Sequence, residues 1–183
     1  MPTKFSAPLT FATSLQLRLV ARPTMKLYFL RHADALDGAD DDARPLSPIG
    51  KKQAREVGRF LKRAGIEFDR VYSSPLVRAK QTAEIVLDIC GSTKLELASA
   101  LLNETSQAKF DEWLRGIPEA KHVCLIGHAP SLAQRVRQLL GITATDALKL
   151  PKGALACLET ENRRTAALKF LVTPKLLGVR APG

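Results

Sequence analysis

Aromatic side chains are scarce in this sequence. One Trp, two Tyr and seven Phe make up 5% of the 183 residues. A core must therefore be filled mainly by Leu, Val, Ile and Ala, a composition that suits helices packed on a sheet. Cysteine is scarcer still: Cys90, Cys124 and Cys157 are odd in number, far apart and never spaced as Cys-x-x-Cys. They read as reduced core residues and exclude a disulfide framework. The three histidines have no metal-ligand spacing with one another or with cysteine, so no metal and no other cofactor is expected. No apolar run approaches the length of a membrane span, which argues for a soluble protein. Repeats, low-complexity tracts, an RNP-like aromatic strand, a zinc finger and a Lys/Arg tract are all missing, and nucleic acid is not an expected partner despite the charge.

That charge is large: 28 Lys and Arg against 18 Asp and Glu give a formal +10, which draws anions without saying which. The length allows one sizeable core and is short for two. Residues 1–24 stand apart, with Lys4, Arg18 and Arg22, no acidic residue and only interrupted apolar runs. They are read as a flexible or dispensable extension. An organelle-type transit segment and an upstream start ahead of Met25 are the alternatives. Residues 25–178 form the expected domain and 179–183 a tail; the protein is expected to be a cytoplasmic monomer unless the first 24 residues target it elsewhere.

From Met25 onward strands and helices alternate. Leu27 to Leu30 is apolar on both faces, as in a covered central strand. After an acidic loop, Ser47 caps and Pro48 opens a helix with the stripe Ala54, Val57, Leu61 and Ala64, ended by Gly65. A short strand at Arg70 to Tyr72 leads to a helix capped by Ser74 and opened by Pro75, with Arg78 off its inward stripe. Lys94 to Leu97 is the next strand, Lys109 to Leu114 part of a helix, and HVCLIG a second strand apolar on both faces, ending on His128. Pro130 opens a helix with Leu132, Val136, Leu139 and Leu140 inward, and Ala154–Leu158 and Ala167–Val172 close the chain as strands. The alternation predicts an α/β fold, a three-layer α/β/α sandwich around a mostly parallel sheet.

In such sheets ligands collect beyond the carboxyl ends of the strands. Arg31 and His32 follow the first strand, Arg78 the second by one helical turn, and His128 another. Two arginines and two histidines meeting on one rim without matching carboxylates make a pocket for a small dianion such as phosphate or a phosphoryl group. The positive end of the helix opening at Pro75 adds to it.

The stretches LRHAD, RPLSPIG, SSPLVRAKQTAE and LIGHAPSL, in this order and at this spacing, resemble the histidine phosphatase superfamily. The short RPLS insert, the lack of a cap-sized insertion and the tail VTPKLL look like its SixA-type phosphohistidine phosphatases. The resemblance spans Met25 to about Leu177. It implies a phosphoglycerate mutase-like fold, His32 as the nucleophile that accepts the phosphoryl group, and Arg31, Arg78 and His128 holding its oxygens. Attack on phosphorus needs a neutral imidazole, and nearby guanidinium groups lower a histidine pKa. The second ring nitrogen of His32 is expected to donate to a backbone carbonyl, fixing the tautomer.

Two positions depart from the superfamily pattern: Ala33 where Gly is usual, and Ala129 where Glu often follows the second histidine. For a general acid, Glu104 in LLNETS is the first candidate by position and Asp34 the second, although SixA-type enzymes lack a clear counterpart and an imidazole leaving from a protonated phosphoramidate needs little help. Arg44 could bind substrate from the loop before the first long helix, or be a solvated loop residue. His122 reads as a surface residue, Lys152 and Lys175 as solvated lysines and Trp113 as a core-edge residue. Three functions follow: a phosphatase for phosphohistidine in a signalling protein, a phosphatase for a small phosphoester, and a non-catalytic phosphoprotein-binding module.

Overall fold

In the computed structural model residues 24–179 are described, apart from Ser92, so the expectations for residues 1–23 and 180–183 lie outside the described residues. In chain order the elements are β1 (Met25–Arg31), α1 (Pro48–Arg63), β2 (Arg70–Ser73), α2 (Val77–Cys90), β3 (Leu95–Leu97), α3 (Gln107–Gly116), β4 (His122–Gly127), α4 (Ser131–Leu139), β5 (Leu155–Thr160) and β6 (Ala167–Val172). They build one six-stranded sheet of order β3-β2-β4-β1-β5-β6. The first four strands of that order pair in parallel, and β5 and β6 pair antiparallel. The sheet is therefore mostly parallel, as the alternation predicts.

Successive residues of a strand point to opposite faces, and β1 makes both faces apolar. Leu27 and Phe29 join Phe110 and Leu114 of α3 and Leu132 and Val136 of α4 in one core cluster. Tyr28 and Leu30 join Val57 and Leu61 of α1 and Ala79, Ala83 and Val86 of α2 in another. The strand is sealed on both sides, giving the three-layer sandwich. Among the described residues no helix is long and apolar enough to cross a membrane.

Several boundaries differ from the sequence reading, each for a local reason. Ser74 does not cap α2: its N–H donates to Ile126, prolonging the strand pairing, and its hydroxyl is engaged by His128. The helix starts at Val77 after an uncapped Leu76, and the Val77 N–H is taken by the Asp42 carbonyl. Pro130 is the N-cap of α4 and not its first residue. Ala64 is the exposed C-cap of α1, whose buried stripe runs Gly50, Ala54, Val57 and Leu61. Ser47 does cap α1, accepting from the Gly50 N–H at 3.0 Å. Only glycine fits at position 50, because a Cβ there would stand 1.9 Å from the Asp34 carbonyl oxygen. At the end of the described chain Val179 is buried and donates to the Pro174 carbonyl, so packing includes a residue the sequence assigns to the tail.

Candidate active site

Register places the site. Arg31 pairs with Gly127 and Ser73 with Ile126, so β1, β2 and β4 end level and release His32, Ser74 and His128 at one edge of the sheet. His32 is 7% exposed, its N–H donates to Gly127 O and its carbonyl accepts from Gly153 N. Its Nδ1 lies 2.7 Å from the Ala33 carbonyl oxygen. A carbonyl only accepts, so Nδ1 carries the proton and Nε2 presents a lone pair. The tautomer is the one a nucleophilic imidazole requires.

The His128 ring lies 4.9 Å from that of His32, centroid to centroid, with its Nε2 2.8 Å from the Ser74 hydroxyl. Arg31 is fixed by donating from Nη1 to the Leu150 carbonyl, and Arg78 is buried. The quartet named by the sequence does converge. Among the described residues, the buried side-chain nitrogens without a hydrogen-bond partner are Arg31 Nε, Arg44 Nε, Arg78 Nε, His128 Nδ1 and, under the Asn103 loop, Arg135 Nη1. A buried donor left unpaired costs on the order of 1–3 kcal/mol. Three of these atoms belong to Arg31, Arg78 and His128, whose side chains act on the His32 ring, an arrangement suited to an oxyanion.

Burial pushes the His32 imidazole down to about 4, opposed by its bond to Ala33 and reinforced by Arg78, Arg31 and Lys152. Burial likewise pushes His128 down to about 3, with the charges of His32 and Arg78 adding to it and Asp41 opposing. The sequence reading credits the guanidinium groups; desolvation is the larger cause. Both rings should stay neutral in an NMR histidine titration through pH 6, and a His32 midpoint near its ordinary value of about 6.5 would contradict this. The unfolded chain binds protons that the folded one refuses, so folding stability falls as pH drops from about 6.5 toward 4.

The expectation of a pocket free of carboxylates is not met. Asp41 Oδ2 sits 2.9 Å from Arg78 Nη2, its backbone carbonyl accepts from Arg78 Nη1, and Oδ1 accepts from Arg44. The acidic loop could not be placed by sequence, because three adjacent aspartates give no hint of which one turns inward. Asp41 occupies N–H groups of both guanidinium groups for which an incoming oxyanion would compete, so Asp41→Asn should tighten tungstate binding, roughly two- to fivefold, as read by calorimetry. Weaker binding in that variant would mean the carboxylate serves to orient Arg78 instead.

Arg44 is thus joined to Arg78 through one carboxylate, and is also within 3.8 Å of Asp37. Asp34 is locked between Lys152 Nζ and the Ser47 hydroxyl, each at 2.6 Å. These donors outweigh its burial and hold its carboxyl below the usual range. Glu104 is exposed and lines a separate cavity of about 690 Å³ with Tyr72, Leu97 and Trp113, none of the quartet among its walls. Ala33 is fully buried against Leu46 and Ala54, and its N–H donates to Thr82. His122 is half-buried, its Nδ1 2.8 Å from the Tyr28 hydroxyl, and Trp113 packs on the core edge.

Sequence reasoning missed three supports. Ser74 holds His128. Asn103 grips the loop after it, donating to Ala129 O and accepting from Ser131 N. Arg135, buried beneath, donates to the carbonyls of Leu102 and Thr105 on either side of Asn103, with its guanidinium over the Phe110 ring. A lone arginine on an otherwise apolar helix face was the one available signal.

A model of the histidine phosphatase superfamily (branch 1) matches residues 27–113. The chain is 33% identical over 164 residues to an uncharacterized protein of Picosynechococcus, covering 84% of this chain and 99% of the relative. It is 31% identical over 118 residues to the phosphohistidine phosphatase SixA of Escherichia coli K12, covering 57% of this chain and 71% of SixA. Among solved structures, protein histidine phosphatase SixA complexed with tungstate superposes with a TM-score of 0.76 at 26% identity, covering 84% of this chain and 99% of that one. A phosphoserine phosphatase mutant from Entamoeba histolytica, in complex with phosphoserine, shares the fold at 19% identity with a TM-score of 0.63, covering 84% and 99%.

Proposed function

The chain belongs to the histidine phosphatase superfamily, and we propose that it hydrolyses phosphohistidine in a signalling protein through a phosphoryl group carried on His32. The observation that carries this reading is the buried, neutral His32, with Nδ1 committed to Ala33 and Nε2 free, set among Arg31, Arg78 and His128. Nε2 attacks phosphorus, the P–N bond of the substrate breaks, and the departing imidazole leaves neutral because its other nitrogen is already protonated. The phosphorylated His32 is then attacked by water, releasing phosphate and restoring the Nε2 lone pair. Charge accumulates on the equatorial oxygens, and Arg31, Arg78 and His128 are the groups assigned to meet it.

The choice of a phosphoramidate over a phosphoester rests on the carboxyl groups. An alkoxide leaves only with a proton, and Asp34, bound to Lys152 and Ser47, is held ionised at neutral pH. Asp41 is held likewise by Arg44 and Arg78. Glu104, on the wall of another cavity, is not assigned the proton donation. The likeness to SixA points the same way. Phosphohistidine peptides assayed beside aryl and alkyl phosphates should show the highest kcat/KM. An alkyl phosphate turned over as fast as the peptides would move the reading to a metabolite phosphatase, and absence of turnover on all of them would leave a phosphoprotein-binding module.

A further inference from the structure

The sequence reading dismisses Lys152 as a solvated lysine, but the fold builds it into the rim beside the nucleophile. Its turn is fastened to the β1 exit at two points: Arg31 Nη1 donates to Leu150 O at 2.9 Å, and Gly153 N donates to His32 O at 3.1 Å. Gly153 has φ +73°, and a Cβ there would come within 3.0 Å of Pro174 Cγ and 3.2 Å of Gln53 Cβ. The turn is packed tightly where it is. The side chain is fastened too, since Nζ donates to Asp34 Oδ1 at 2.6 Å while the other oxygen of that carboxylate accepts from Ser47. Asp34 is anchored in turn through its N–H to Gln53 Oε1. An isolated half-exposed ion pair contributes little to stability, so this much fixation points to a use for the ammonium.

We propose that Lys152 contacts the substrate, its ammonium held by Asp34 beside His32 and donating to an oxygen of the phosphoryl group. One of its three N–H bonds is taken by Asp34, and the rest are available to an anion. Its charge already acts on the His32 ring. Lys152 thereby adds a compact point charge to two planar guanidinium groups, while Asp34 acts as its positioning residue. The inference rests on the phosphatase reading for its substrate, but its test does not.

The test compares wild type, Lys152→Met and Lys152→Arg for tungstate binding by calorimetry and for kinetics on a phosphohistidine peptide. The Met variant should bind tungstate roughly tenfold more weakly, with KM raised by a similar factor and the melting temperature unchanged. The Arg variant should recover most of the loss. Tungstate affinity and KM within twofold of wild type in the Met variant would overturn the proposal, as would an Arg variant as weak as Met. If the wild type turns over no substrate, the phosphatase reading fails while the tungstate comparison still decides the role of Lys152.

Discussion

His32→Ala should lose roughly 10⁴-fold or more in kcat, because it deletes the covalent route and not merely one contact. Incubation with a phosphohistidine donor should leave an acid-labile label on the wild type and none on the variant. The fold should survive. His32 hydrogen-bonds through its backbone to Gly127 and Gly153, contacts that alanine keeps, and its ring donates only to the neighbouring Ala33 carbonyl. The variant should still bind tungstate, since Arg31, Arg78 and His128 remain. It should also lose part of the acid sensitivity of the wild type, having one fewer ring that must stay uncharged in the folded state. An acid-labile label persisting in His32→Ala, or activity within about tenfold of wild type, would remove His32 from the role of nucleophile.

The second large effect belongs to Arg78. Arg78→Met should reduce kcat/KM by about 10²- to 10³-fold, roughly 3–4 kcal/mol of transition-state stabilisation. Arg78→Lys should recover little, because an ammonium is a point charge and cannot reproduce a planar fork. Stability should move the other way or not at all. Arg78 is 6% exposed, its Nη1 and Nη2 donate to Asp41, its Nε is unpartnered among the described residues, and its charge acts on both histidines, so the folded chain holds a crowded, partly unsatisfied cation. Its loss relieves that crowding and leaves only the exposed Asp41 carboxylate without its partner, which water can solvate at little cost. Kinetics and thermal melts on the same samples check both halves. Activity kept within about tenfold in Arg78→Met would mean that Arg78 is bound by Asp41 and does not serve the phosphoryl group.

The sheet and its layers were legible because burial on both faces leaves an unmistakable mark. Leu27 to Leu30 and Val123 to Ile126 are apolar without alternation, and strands of that kind are covered by helices on each side. Helix starts were less legible. Ser47 is a cap because its hydroxyl accepts from the Gly50 N–H inside α1, whereas Ser74, in a similar Ser-Pro setting, accepts only from the Leu76 N–H ahead of α2 and turns its hydroxyl to His128. The two look alike in sequence and differ only in what the fold brings near.

The sequence alone determined which residues could perform the chemistry, since strand ends carrying Arg31, His32 and His128 place them on one rim whenever the strands lie parallel. It determined the neutral-imidazole requirement as well. Tertiary structure decided everything that depends on a partner distant in the chain: that burial is the leading cause lowering the histidine pKa values, that Asp41 lies across Arg78 and Arg44, and that Lys152 is pinned 118 positions away from Asp34. Side-chain type and local spacing are written along the chain, but desolvation and electrostatic pairing are set by distances through space, and those exist only once the sheet has closed its layers.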